Sequence, residues 1–327
     1  MRRLAGMVSA GLLLGLCLAV QPQRAVQVCS GFLPENDMKI PIGIKGSGLT
    51  EAQYNEVMDR LEEIYAPIVK AKGGVLRINR MWEDSTVNSS AQRQGKYYIL
   101  NMYGGLARHP AITQDGETLV ACHEMMHHLG GAPKIEDMWA TNEGQSDYAA
   151  NLKCMRLMFS SPGTRDFTRM AAPDPVAQKA CKQVYKEQQA AALCLRVATA
   201  GLSVTALFKA MHQETKDPTF ETPDPAVVEE TSDDHPGTQC RLDTYFQSAL
   251  CTQPVSKGLS DSDPAKGTCT ASQGYKVGLR PLCWYKPPTG ESLQLLSRAS
   301  VAPQLDESVS KSRTLSSLQG AGLWQGL

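Results

Sequence analysis

The chain has 327 residues, 42% of them hydrophobic and 20% charged, which suffices for a substantial core in one large domain or two modest ones. Lysine and arginine number 33, as do aspartate and glutamate, so no global charge draws it to nucleic acid or anionic lipid. No basic tract or aromatic-basic stripe alters that exclusion.

Met1-Arg2-Arg3 opens the chain, followed by an uncharged run over 4–20 and then polar residues. This pattern describes a secretory signal peptide over 1–25, cut after Ala19 or Ala25. A retained anchor is the alternative, although the run is short for a bilayer. A lipoprotein signal at Cys17 would want a small residue where Leu16 stands. Nothing later reads as a membrane span, so the expectation is an exported protein, periplasmic or extracellular. The chain has ten cysteines and no C-x-x-C pair. With Cys17 lost in the signal, the scattered remainder favours disulfides in an oxidising compartment. Cys240/Cys251 and Cys269/Cys283 are the local pairings that suggest themselves, and the odd count leaves one thiol over.

"IPIGI" at 40–44 reads as a short strand. Thr50 caps a helix whose apolar stripe runs from Tyr54 through Val57, Met58 and Leu61 to Tyr65, ended by Gly73-Gly74. "VLRINRMW" and "KYYILNMY" are strand-like, with the polar stretch 83–95 as their connection and Gly104-Gly105 closing the second. A helix from Thr113–Gly116 to Gly130-Gly131 carries "CHEMMHH". Further helices are expected over Asn142–Phe159, twice within 175–212, and over 238–250. An acidic, proline-rich loop spans 212–235, a cysteine-bearing irregular segment 251–287, and a weakly ordered tail 288–327. Strands first and helices afterwards indicate an α+β domain over 26–287.

His123 and His127 stand four apart on one helical face and can bind one ion. Glu124, turned about 100° from His123, then lies beside that ion as a general base for a zinc-activated water. The alternative is an amphipathic helix with exposed histidines. An open catalytic zinc site needs a third protein ligand. The metzincin pattern fails because Pro133 stands at its last position. His128 is rotated off the ion and defaults to a surface or supporting role. "NEGQSD" at 142–147 offers Glu143 and Asp147, four apart on one face of the next helix.

HExxH followed by NExxxD resembles the gluzincins, the thermolysin-like clan of zinc metallopeptidases. The resemblance implies one Zn2+ held by His123, His127 and Glu143, with Asp147 hydrogen-bonded to His123. "DDHPGTQCRL" is similar to the HPxxxxR segment of HtpX-like and CaaX-prenyl-protease-type members, implying transition-state or structural roles for His235 and Arg241. The alternative for that segment is a helix-entry turn with Arg241 pairing a carboxylate. The resemblance further implies a zincin-like domain: a small N-terminal sheet, an active-site helix and a helical C-terminal part. It implies an edge strand pairing with a peptide or protein substrate at Tyr98, Ile99, Leu100, Asn101, Met102, Tyr103, Gly104 and Gly105. The function expected is a zinc-dependent endopeptidase; the alternatives are a non-catalytic exported protein that binds peptides or envelope proteins, and a metal-dependent amidase of cell-wall peptides. Cys122 precedes His123, but antiparallel helices with Asp147 opposite His123 would leave Cys154 about 10 Å away at 1.5 Å per residue. A Cys122–Cys154 bridge tying the two helices together stays open, with Cys122 as a candidate for the odd thiol as the alternative.

Overall fold

In the computed structural model, Thr50 accepts the backbone N–H of Gln53, and the Gln53 side chain reaches back to the Thr50 N–H, completing a capping box for α1 (Glu51–Ala71). The structure describes residues 27–28, 31–44, 48–160 and 173–288. The signal-like run, Cys29 and the tail past 288 lie outside them.

The sheet has four strands in the order β1 (Gln27–Val28), β3 (Ser89–Gln94), β4 (Tyr97–Tyr103), β2 (Val75–Met81). β3 runs antiparallel to both neighbours, and β2 parallel to β4. The polar stretch 83–95 thus contains a strand rather than only a connection. Its inward positions carry Ser89, Ala91 and Arg93 because they face polar side chains of the histidine helix, so no apolar alternation marks it in sequence. "IPIGI" is mostly a turn, and the pairing lies just before it, between Lys39 and Thr86. β4 is hydrogen-bonded along its length on both sides, and Gly104 and Gly105 begin the short α2 (Gly104–Ala107). The segment Tyr98–Gly105 therefore has no open edge for an added strand. On its outer side β3, the strand beside the histidine helix, carries only the two-residue β1.

α3 (Gln114–Leu129) runs under the sheet and is buried at every position from Gly116 to His128. After a short excursion Asn142 caps α4 (Glu143–Ala149), which continues as a π-helical stretch over Ala150–Met155 and ends in α5 (Arg156–Met158). α6 (Pro175–Val184), α7 (Gln188–His212) and α8 (Thr238–Leu250) complete the helical half of this α+β architecture. α7 is, contrary to expectation, long and apolar enough to cross a membrane. It packs against α3, α6 and α8, as a central helix hydrophobic all round does in a core.

Among the described residues four disulfides join Cys122–Cys154, Cys181–Cys194, Cys240–Cys283 and Cys251–Cys269. The first overturns the free-thiol alternative for Cys122, with α-carbons 5.5 Å apart. A contact between the long reaches of His123 and Asp147 does not set their α-carbons level, and the π-helical winding brings Cys154 round to α3. The local pairings expected among the last four cysteines are exchanged: Cys240 reaches across to Cys283, enclosing the Cys251–Cys269 bridge. These cysteines pack with Tyr148, Leu152 and Trp284 in a second apolar cluster. Gly144 admits that tryptophan, since a Cβ there would lie 2.2 Å from the indole.

Glu117 on α3 is fully buried, and neither carboxyl oxygen has a hydrogen-bond partner. Burial pushes its carboxyl up to about 8. Between pH 4.5 and about 8 the unfolded chain gives up this proton while the folded chain keeps it, so stability falls with rising pH through that window. Glu117→Met is expected to stabilise the fold by about 1–3 kcal/mol at pH 8 and by less at pH 5. Urea denaturation at the two pH values checks this; an equal gain at both would remove ionisation as the cause.

Candidate metal centre

Three ligand-type atoms converge where α3 crosses the start of α4: Nε2 of His123, Nε2 of His127 and the carboxylate of Glu143, all within 4.8 Å of one another and all buried. The histidine helix is therefore not a surface helix. His123 Nε2 lies 3.2 Å from Glu143 Oε2 and His127 Nε2 3.6 Å from Oε1. Two ligands about 2.1 Å from one tetrahedral ion stand about 3.4 Å apart, which these distances bracket.

The other ring nitrogens fix the tautomers. His123 Nδ1 is 2.7 Å from Asp147 Oδ1, and His127 Nδ1 is 2.8 Å from the Thr141 carbonyl. Each partner takes an N–H from Nδ1, so Nε2 is the nitrogen each ring turns into the cluster, and neither Nε2 makes a hydrogen bond. Against burial, Asp147 and Glu143 push the His123 ring up to about 9, so a cation there would replace its Nε2 proton. Buried imidazole nitrogens without partners, opposed by a carboxylate, fit a divalent cation. Burial, the largest influence, opposes ionisation of Glu143, yet the two histidines hold its carboxyl down at about 2. Burial pushes His127 down to about 4, so its ring is neutral, as a ligand requires. Asp224, Cys240 and Cys283 also converge, but both sulfurs are spent in a disulfide.

Glu124 lies outside the ligand cluster. Its Oε1 accepts the Ser89 hydroxyl at 2.7 Å, while Oε2 is buried without a partner. Burial pushes this carboxyl up to about 7, against the pull of His123 and the Ser89 hydrogen bond. A bound cation would add to that pull.

Asp147 is the hub of the support. Arg241 donates to both of its oxygens, Nε to Oδ2 at 2.7 Å and Nη2 to Oδ1 at 2.8 Å, and Tyr245 donates its hydroxyl to Oδ1 at 2.7 Å. Arg241 is itself fully buried against the edge-to-face rings of Phe32 and Phe208. It thus pairs a helix carboxylate and acts on His123 through Asp147. His235 stands at the centre itself, with Nε2 3.5 Å from Glu143 Oε2 and 2.8 Å from the Gly31 carbonyl.

His128 is buried on the sheet side of α3, where Arg93 meets its Nδ1 and Trp139 stacks at 4.6 Å. A cleft of about 400 Å³ opens there, and none of His123, His127 and Glu143 lines it. Trp139 packs on His128, His212 is exposed and His109 is half-buried. Sequence reasoning missed Ser89, Tyr245 and Phe32. Tyr245 alone carried a signal, standing four residues after Arg241 on the same helical face. No protein-family model, curated protein or solved structure matches this chain.

Proposed function

We propose that the chain is an exported zinc-dependent endopeptidase of gluzincin type, its one metal ion held by His123, His127 and Glu143. The observation that carries this reading is the pair of Nε2 atoms facing Glu143 with a carboxylate that is no ligand, Glu124, beside them. A purely structural zinc is closed by four protein ligands and has no use for a base at an open position. A zinc ion bound there would polarise a carbonyl and lower the pKa of water.

The remaining work falls to the chain's own groups. Glu124, oriented by Ser89, takes a proton from the attacking water and delivers it to the leaving amine. His235 donates to the carbonyl oxygen as negative charge develops on it. Asp147, clamped by Arg241 and Tyr245, keeps His123 in its ligand tautomer. The substrate class is an extended peptide, and the four disulfides support an oxidising, exported setting.

Zinc content by elemental mass spectrometry, together with hydrolysis of unstructured peptides, tests the reading. The wild type is expected to bind one zinc and cleave; Glu143→Ala is expected to lose most of its zinc affinity. Unchanged metal in Glu143→Ala would sink the ligand assignment. Intact zinc with no peptide-bond hydrolysis would favour a non-catalytic binding protein.

A further inference from the structure

The metal centre has no exposed ligand, and its cover is the chain's own N-terminal segment. β1 pairs antiparallel with β3, Gln27 opposite Arg93 and Val28 opposite Gln92. Farther along the same edge, Phe32 N–H donates to the Ser89 carbonyl at 2.8 Å. Leu33 then exchanges both backbone hydrogen bonds with the Asn88 side chain, its N–H donating to Oδ1 at 2.9 Å and its carbonyl accepting from Nδ2 at 3.1 Å. Arg241 Nη1 donates to the Phe32 carbonyl at 3.2 Å. Upstream, the Gly31 carbonyl accepts from His235 Nε2 at 2.8 Å, beside Glu143.

Taken together these contacts are those of a peptide added as a strand along β3, its main chain read by the β3 backbone and by the side chains of Asn88, Arg241 and His235. They also fix which bond faces the chemistry. The carbonyl of Gly31 is held by the histidine nearest the metal ligands. The nitrogen of Phe32 is held by Ser89, the residue whose hydroxyl is bonded to Glu124. The Phe32 side chain is fully buried, its ring 4.9 Å from that of His123 and 5.5 Å from that of Phe208, so the bond cannot slide along the groove. A Cβ at 31 would lie 2.6 Å from the Asn88 amide, which would have to turn away and release Leu33.

We infer that the first bond this centre hydrolyses is in its own chain, between Gly31 and Phe32. The inference rests on the peptidase reading above. One water is consumed and the Gly31 C–Phe32 N bond breaks. The water oxygen enters a Gly31 carboxylate, and both water protons, one carried by Glu124, end on the Phe32 nitrogen as an ammonium. No redox partner is needed. Phe32 becomes the new N-terminus, anchored by its ring, and the residues before it leave the β3 edge.

The experiment uses the full chain, purified metal-free and then given zinc, followed by intact mass and N-terminal sequencing. The expected result is a single cut leaving Phe32 at the N-terminus, first order and independent of protein concentration. Glu124→Gln should stay uncut with zinc bound, and Gly31→Val should be cut at least about tenfold more slowly, because misplacement of a bond is costly. In metal-free Glu124→Gln the Phe32 and Leu33 amides should be protected from hydrogen exchange, which reads the docked strand without any turnover. Rapid exchange there would overturn the docking. A wild type that hydrolyses an added peptide but keeps its own Gly31–Phe32 bond would overturn the inference and leave the peptidase reading standing. Zinc-loaded protein that hydrolyses neither would overturn both.

Discussion

Glu124→Gln is expected to bind zinc as the wild type does while peptide hydrolysis falls by about 10²–10⁴-fold, the usual contribution of a general base. The change preserves size, and a glutamine Oε1 can still accept the Ser89 hydroxyl that Glu124 accepts at 2.7 Å. What is lost is the capacity to take a proton, because an amide cannot. Glu124 is absent from the cluster formed by His123, His127 and Glu143, so metal content should not follow activity. Metal analysis beside turnover decides the matter: a parallel loss of zinc would make Glu124 a ligand, and unchanged turnover would remove it from the chemistry.

The largest structural penalty should come from Arg241→Met. The guanidinium is fully buried, donates to both oxygens of Asp147, and lies 4.7 Å from the Phe32 ring and 4.2 Å from the Phe208 ring. Its removal strands a buried carboxylate, which typically costs about 3–5 kcal/mol. Zinc affinity should fall by about 10–100-fold, because the group that orients His123 loses its own clamp. Chemical denaturation and zinc titration read the two effects separately. Arg241→Lys keeps the charge and gives up the fork, so stability should recover in part. Loss of stability with unchanged zinc affinity would show that Arg241 serves packing alone.

The parts of this architecture legible in sequence are those written in local periodicity and caps. Thr50, Thr113 and Asn142 each mark a helix start, and all three accept the expected backbone N–H. The ligand trio is legible because His123 and His127 share a helical face and Glu143 opens the next helix. β3 was hidden because its inward side chains are small or polar, so strand alternation carries no apolar mark. Arg241 was legible as the partner of some carboxylate, but that the carboxylate is Asp147 was not: Arg241 and Tyr245 stand 94 and 98 residues from it, and nothing local joins the segments. The disulfide pattern was misread because sequence proximity does not order a C-terminal segment that folds back over α8. Phe32 escaped notice because a lone aromatic beside a turn has no period to report.

The same long reach sets the order in which the molecule can be finished. The histidines and Asp147 are only 24 residues apart, and this part of the site emerges early in synthesis. Arg241 contacts Phe32 across 209 residues and His235 contacts Gly31 across 204. Closing such loops costs chain entropy that is repaid only when the whole core condenses. A nascent chain released only as far as α4 holds His123, His127 and Glu143 without the clamp that fixes Asp147, so on the proposed metal-binding reading an ion taken up at that stage would exchange readily. Firm loading would then belong to the last stage of folding, after α8 has docked.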